Sequence, residues 1–522
     1  MSSKMRQRAL SISVITGAIG LAALYLWPDT IVARNRDIDE GVYLMVARLI
    51  HRGYDTHTFF FDQFWLFPKI LATAFQVFGD SLLVGRLTVF GFSLLGLVGI
   101  GALTYQLGAR WSLAAAAILL GAISPLYIRQ SRIVMSDAPA VACIIWALVF
   151  LFAFQRSQQR LWLALTGVCA SASVTLKPFA IGFGITIIIV LLTNRARREN
   201  GRLSFEWMAL TADTLILGAS GIVAAAPFVD LLHPIAEYAR TVGFHLTERN
   251  WRAPRIDERW GGFLKFCLLH IPWLVFAVPG VIALRPLPTA ILALLAGELT
   301  TAALLLQMPP WLHHYLLLVP PLIVFSALGM SRAFVSLKHT LIDLQNGRGL
   351  FSSNSSLAML SASALLVTSI DLPWIIRDDF RERRPQVIHV DSVVRFTEQN
   401  FRPNDYLLSD DALVLYLADR LIPPSAINLT YGNIFTSDKR SIARLERIVR
   451  DNNVVGILVS SRLERNPRLM AWIQANFPIS ARVGDNEFDA FTVTFYTLTK
   501  EARRALLRDY REAIPHRFDV TD

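Results

Sequence analysis

The chain has 522 residues, of which 53% are hydrophobic and 17% charged, and its formal net charge is +11. So apolar a chain is not an ordinary soluble enzyme; it reads as a membrane protein. The positive balance suits a surface beside anionic headgroups, and with no basic face interleaved with exposed aromatics it does not point to nucleic acid.

Taken in chain order, the basic opening MSSKMRQR leads into an apolar run at 9–27. That run is long, and no clear small-x-small site precedes Pro28, so an uncleaved anchor is expected rather than a signal peptide. Further runs follow at 82–105, 112–126, 138–154, 161–176, 179–193, 207–228, 264–284, 289–306, 315–331 and 357–376. A helix needs about 20 residues to cross the hydrocarbon core. Runs 112–126, 161–176 and 179–193 must therefore borrow flanking residues, and the pattern predicts about eleven spans. Lys and Arg are denser in the segments placed inside, most clearly in NRARRENGR at 194–202. By the positive-inside rule the N-terminus is cytoplasmic, and an odd number of spans puts the C-terminus outside. Cys143, Cys169 and Cys267 all fall in apolar runs, which argues against a disulfide framework in the outer loops.

The expected fold class is an all-α polytopic membrane domain over 1–376, with interfacial helices in its first outer loop, plus a small extracytoplasmic α/β domain over 377–522. In the tail, DSVVRFTEQN, SDKRSIARLERIVRDNN and NPRLMAWIQANF read as helices, and DYLLSD, VVGILVSS and FTVTFYTLTK as strands. Strands alternating with helices suit a layered α/β unit that folds on its own.

The outer loops carry the chemistry. In RNRDIDEGVYLMVARLIHRGY, 34–54, Asp37, Asp39 and Glu40 crowd before a helical pattern. Asp39 reads as an N-cap. Val42, Met45, Val46 and Leu49 form a stripe, with Arg48, His51 and Arg52 off it, which suits a helix lying in the interface with its apolar side in lipid. Its N-terminus is an anion site, although both acids could simply cap it and complement its dipole. Segment 59–81, FFFDQFWLFPKILATAFQVFGDS, reads as a second interfacial helix with one cation, Lys69. Segment 127–139, YIRQSRIVMSDAP, sets Arg129, Arg132 and Asp137 just before a span. Carboxylates beside cations at the bilayer edge suit transfer from a lipid phosphate: a carboxylate deprotonates a hydroxyl, and Arg or Lys stabilises the departing phosphate.

Five pieces in order carry a family resemblance: DEGVYLMVARLI, FPKILATAFQVFGDSLLVGRL, SRIVMSDAP, SVTLKP and HHYLLLVPP. With them the sequence resembles the GT-C superfamily of integral-membrane glycosyltransferases, in the bacterial branch near protein O-mannosyltransferases and aminoarabinose transferases. The resemblance is specific over about 28–193, weaker to 331, and says almost nothing of the tail. It implies an inverting transferase that takes a sugar from a polyprenyl-phosphate donor on the outer face of the bacterial plasma membrane. It also implies that Asp39 is the base, with Glu40 beside it, and that Asp137 orients the acceptor. Lys69, Arg132, Arg129 and Lys177 would hold the donor phosphate. The usual His-Pro-Pro or Lys-Pro-Pro before the cation here reads Phe64-Trp65-Leu66.

Other residues are open to plainer readings. Asp37-Ile38-Asp39 looks like a D-x-D metal motif, yet this branch does not generally need a metal, and no cofactor is expected. His313, His314 and Tyr315 suit sugar or phosphate, or simply the interface. Glu298 lies mid-span, where an ionisable group is costly. Arg240, Arg249, Arg252, Arg255 and Arg259 could pair with nearby acids or clamp a phosphate. The acceptor could be lipid, protein or polysaccharide. The rival readings are a lipid or solute transporter, disfavoured because the charges gather at one face rather than the midplane, and a scaffold that presents the tail, which leaves the outer acids unexplained.

Overall fold

The structure, a computed structural model, describes residues 3–28, 38–56, 63–108, 110–199, 202–230, 256–282, 288–307, 311–345, 390–403, 405–427, 439–460, 463–465, 467–483 and 493–498, with a few single residues between them. Asp37, the arginines at 240, 249, 252 and 255, and the apolar run 357–376 lie outside the described residues, and Arg259 is described only as part of a helix backbone.

In chain order the helices are α1 (Ser3–Leu26), α2 (Ile38–His51), α3 (Leu66–Phe78), α4 (Leu82–Gly108), α5 (Trp111–Ala122), α6 (Pro125–Arg132), α7 (Asp137–Ser157), α8 (Arg160–Leu176), α9 (Gly184–Arg195), α10 (Trp207–Ala225), α11 (Ile256–Leu269), α12 (Ile271–Ile282), α13 (Thr289–Leu306) and α14 (Val319–Gln345). The tail adds α15 (Val390–Asn400), α16 (Ala412–Leu417), α17 (Lys439–Asp451) and α18 (Pro467–Asn476). Strands β1 (Ala196–Glu199) and β2 (Arg202–Phe205) form a hairpin, and β3 (Leu407–Ser409), β4 (Gly456–Val459), β5 (Ile479–Val483) and β6 (Val493–Thr497) form a second sheet.

The chain divides into two compact units: Met1–Asp29, Arg86–Tyr238 and Arg252–Arg384 form the first, and Thr30–Gly85, Ala239–Trp251 and Pro385–Asp522 the second. The first is a bundle of apolar helices. Among the described residues, 6 helices are long and apolar enough to cross a membrane, or 8 if each of two bent pairs counts as one span. The chain is thus a multi-pass membrane protein.

Both bent pairs break at prolines. Trp111–Ala122 and Pro125–Arg132 meet at 68°, and Trp260–Leu269 and Ile271–Val278 at 81°. Pro125 and Pro272 lack the N–H that would continue the helical ladder, and a residue before proline avoids the helical region. Ser124 is accordingly extended, at φ −65° and ψ 125°. The two bends are tied to each other: Ser124 Oγ lies 3.1 Å from His270 Nε2, and Trp273 Nε1 donates to Leu120 O at 3.2 Å. His270 Nδ1 sits 2.9 Å from Phe266 O, so it carries the proton and Nε2 accepts from Ser124. Helices α12 and α14 close up through Gly280 and Gly329, where a Cβ on Gly280 would lie 2.8 Å from Gly329 N; small residues let membrane helices approach this closely.

In the second unit the sheet order is β3-β4-β6-β5, with β3 and β4 parallel and the other pairs antiparallel. A parallel pair needs a crossover, and the chain between β3 and β4 includes α16 and α17. Strand β4 is buried throughout, as a continuous Gly-Ile-Leu-Val run requires. The buried carboxylate of Asp410 accepts from the amides of Ser460 at 2.7 Å and Leu463 at 2.9 Å, which ties the end of β3 to the end of β4.

Candidate active site

The candidates divide between the units. Asp39, Glu40 and Lys69 belong to the second; Arg129, Arg132, Asp137, Lys177, His313, His314 and Tyr315 belong to the first.

In the second unit, Asp39 and Glu40 lie in the first turn of α2, where negative charge complements the unsatisfied N–H groups. Asp39 falls inside the helix rather than before it. Asp39 is half-buried and Glu40 fully buried. The reading of α2 as an interfacial helix with its apolar side in lipid is corrected here. Residues 42–47 and Leu49 are all buried, and α2 packs on α3 and α16. Tyr43 meets the rings of Phe67 and Phe61 edge-on at 5.0 and 6.0 Å. Nor does Arg48 reach solvent: it is 5% exposed, and its Nε donates to Asp80 Oδ2 at 2.5 Å. Helix α3 buries Leu66, Phe67, Leu71 and Phe75 and leaves Val77 and Phe78 exposed at its end. Lys69 stands half-buried on it.

In the first unit, α7 begins at Asp137 and α8 ends just before Lys177, so packing the two helices side by side brings both residues to one end. Lys177 Nζ lies 2.9 Å from Asp137 Oδ2, and both side chains are buried. An ammonium has three donors, so two remain beyond the one given to Asp137. The short helix α6 exposes Arg129 and buries Arg132, whose guanidinium donates to Tyr25 O at 2.7 Å. Between them Gln130 is 1% exposed, and neither end of its carboxamide finds a hydrogen bond among the described residues.

The 3-10 turn Leu312–Leu318 packs on α7. On it, the rings of His313 and His314 meet edge-on at 4.4 Å, and His314 lies 5.1 Å from Phe179, two residues past Lys177. Tyr315 is fully buried beside Phe266 and Phe263, with no hydrogen-bond partner for its hydroxyl among the described residues. Glu298 on α13 keeps one carboxylate oxygen buried without a hydrogen bond among them. No group of three His, Cys, Asp or Glu side chains among the described residues is placed to hold a metal ion.

Sequence reasoning singled out Arg129, Arg132 and Asp137 but missed the Gln130 carboxamide between the two arginines, whose only signal is its place in the Arg-Gln-Ser-Arg run. It also missed Asp80, at the end of segment 59–81, and Tyr416 in the tail.

Residues 65–220 match the family model described as dolichyl-phosphate-mannose-protein mannosyltransferase. No curated protein matches the chain in sequence. Among solved structures, the chain is similar to ArnT from Cupriavidus metallidurans bound to undecaprenyl phosphate, at TM-score 0.59 and 15% identity, covering 95% of this chain and 98% of that one. It is also similar to the archaeal oligosaccharyltransferase AglB from Archaeoglobus fulgidus in complex with an inhibitory peptide and a dolichol-phosphate. There the TM-score is 0.53 and the identity 16%, over 88% of this chain and 70% of that one. The resemblance first carried by five short motifs therefore extends to nearly the whole length, and in fold the chain is of the GT-C type.

Proposed function

We propose that the chain is a glycosyltransferase that moves a single sugar from a polyprenyl-phosphate carrier to a hydroxyl acceptor on the outer face of a bacterial plasma membrane. The observation that carries this reading is the fold match over nearly all of both chains to ArnT, a protein solved with undecaprenyl phosphate bound. The AglB complex with a dolichol-phosphate and a peptide supports the same two kinds of partner, a lipid carrier and an acceptor. The transporter reading gains no support from either match.

In this reading the acceptor oxygen attacks the anomeric carbon as its proton passes to Asp39. The bond from that carbon to the phosphate oxygen breaks, and its electron pair leaves with polyprenyl phosphate. One displacement inverts the anomeric centre. Asp39 supports the base role because it is half-buried rather than sealed. Glu40 lies fully buried beside it in the same first turn. Asp137, oriented by Lys177, holds the acceptor hydroxyl. Lys69, Arg129, Arg132 and the remaining donors of Lys177 stabilise the phosphate charge as it grows. His313, His314 and Tyr315 contact the sugar or the phosphate. No cofactor is required.

The test is to incubate the purified protein with a panel of polyprenyl-phosphate sugars and with lipid, peptide and polysaccharide acceptors. Mass spectrometry should find free polyprenyl phosphate and an acceptor heavier by one sugar. Intact donor with every pairing would reject the reading.

A further inference from the structure

We propose that the tail positions the acids of α2, with Arg48, Asp80 and Tyr416 as the lock; this rests on the transferase reading above. All the residues involved lie within the second unit.

The contact begins in the turn that carries the acids. A Cβ on Gly41 would overlap the backbone amide of Leu413 and sit 2.5 Å from Leu413 Cα, so the first turn of α2 touches the first turn of α16 backbone to backbone. Asp411 caps α16 there by accepting from Leu413 N at 3.2 Å. Two helical turns on, Arg48 serves both sides. Its Nε donates to Asp80 at 2.5 Å, its terminal nitrogen donates to Tyr416 O at 2.7 Å, and its guanidinium lies 3.8 Å from the centre of the Tyr416 ring. Tyr416 Oη donates to the other oxygen of Asp80 at 2.6 Å. The ring also stacks on Phe75 of α3 at 6.4 Å. At the end of α2, Arg52 donates to Asp419 at 2.7 Å, and Tyr54 Oη lies 2.9 Å from Tyr406 Oη.

The geometry fixes α2 along its axis and about it. The bare Gly41 contact sets the depth of the first turn. The triangle of Arg48, Asp80 and Tyr416 sets the rotation, because both oxygens of one carboxylate are used. A rotated α2 would carry Asp39 off the acceptor proton, and misplacement by about 1 Å can cost on the order of 10²-fold in rate. Arg48, Asp80 and Tyr416 are positioning residues, and the tail acts on turnover through them.

Tyr416→Phe removes the 2.6 Å bond, and Asp80→Asn leaves a single acceptor oxygen for the two donors Tyr416 Oη and Arg48 Nε, each with little change of shape. In the purified full chain, each should speed amide exchange across 42–49 about tenfold or more. Each should also lower kcat about 10- to 100-fold with donor KM changed less than about twofold. The double variant should be no worse than the poorer single, because without the Tyr416 hydroxyl the one oxygen left by Asp80→Asn has only Arg48 to serve. Trp472→Phe breaks only an exposed tail bond to Glu446 and should leave exchange and kcat unchanged. Wild-type exchange in α2 for both variants would overturn the proposal. So would unchanged kcat in an active protein, or a loss confined to donor KM. A wild-type protein that transfers no sugar would defeat the functional reading instead, while exchange in α2 would still decide the lock.

Discussion

Asp137 and Lys177 hold each other's charge at 2.9 Å with both side chains almost wholly out of water. Breaking such a pair strands one buried charge, at a cost of about 3–5 kcal/mol, whereas replacing both partners can be nearly neutral. Asp137→Asn should therefore lower the midpoint of thermal unfolding sharply, and Asp137→Asn combined with Lys177→Met should recover most of it. A stable single variant would show that the pair does not form. Tyr416 makes a pH prediction. Burial pushes its phenol above the usual range, and the bond to Asp80 adds to the shift. A raised pKa in the folded state means that stability is complete below the unfolded value near 10 and declines as pH rises above it. Melting curves from pH 9 to 12 should show this decline in the wild type and a shallower one in Tyr416→Phe. Equal slopes would contradict the buried hydrogen bond. Asp137 was legible in the sequence as a lone acid before a span, and Lys177 as a lone cation at the end of one. Their pairing was not, because it depends on how α7 and α8 pack.

At the scale of elements, local pattern carried far. The helices at Val390–Asn400, Lys439–Asp451 and Pro467–Asn476 and the strands at Leu407–Ser409, Gly456–Val459 and Val493–Thr497 stand where periodicity put them. Helix Ala412–Leu417 was missed because ALVLYL is six apolar residues with no polar face to reveal a period. Strand Ile479–Val483 was missed although ISARV alternates apolar and polar residues, because the segment is short, largely exposed and lies at the edge of its sheet. The stripe on α2 was read correctly as helical but given the wrong partner, since an apolar face looks the same whether it meets lipid or α16. The spans at 112–126 and 264–284 were read as continuous although each contains the proline at which the helix bends. Gly41 tests the α2–α16 contact. In an ordinary helix interior, Ala in place of Gly gains about 1 kcal/mol. Here the added Cβ would meet the Leu413 backbone, so Gly41→Ala should lower thermal stability instead. A stabilised variant would mean that the two helices do not touch.

At the scale of the molecule, composition and hydropathy gave a multi-pass membrane protein, and a handful of motifs between 28 and 331 gave the superfamily that the fold matches. The number of spans was less legible, because apolar run length alone does not separate a straight crossing from a bent pair. Orientation rests on the Lys and Arg bias of the loops. In a variant lacking Cys143, Cys169 and Cys267, a cysteine at Ser437 should react with an impermeant thiol reagent in intact spheroplasts, and one at Asn200 only after lysis. The reverse pattern would turn the acids of α2 to the cytoplasm. The most direct test of the transferase reading compares wild type with Asp39→Asn, side by side, on one polyprenyl-phosphate sugar. Asn fits the start of a helix about as well as Asp but cannot take a proton, and general-base catalysis is worth roughly 10²–10⁴-fold. Wild type should release polyprenyl phosphate, and Asp39→Asn should bind the donor yet release it slower by about that factor. Equal release by the two proteins would contradict the account, as would movement of the lipid across the membrane with its sugar-phosphate bond intact.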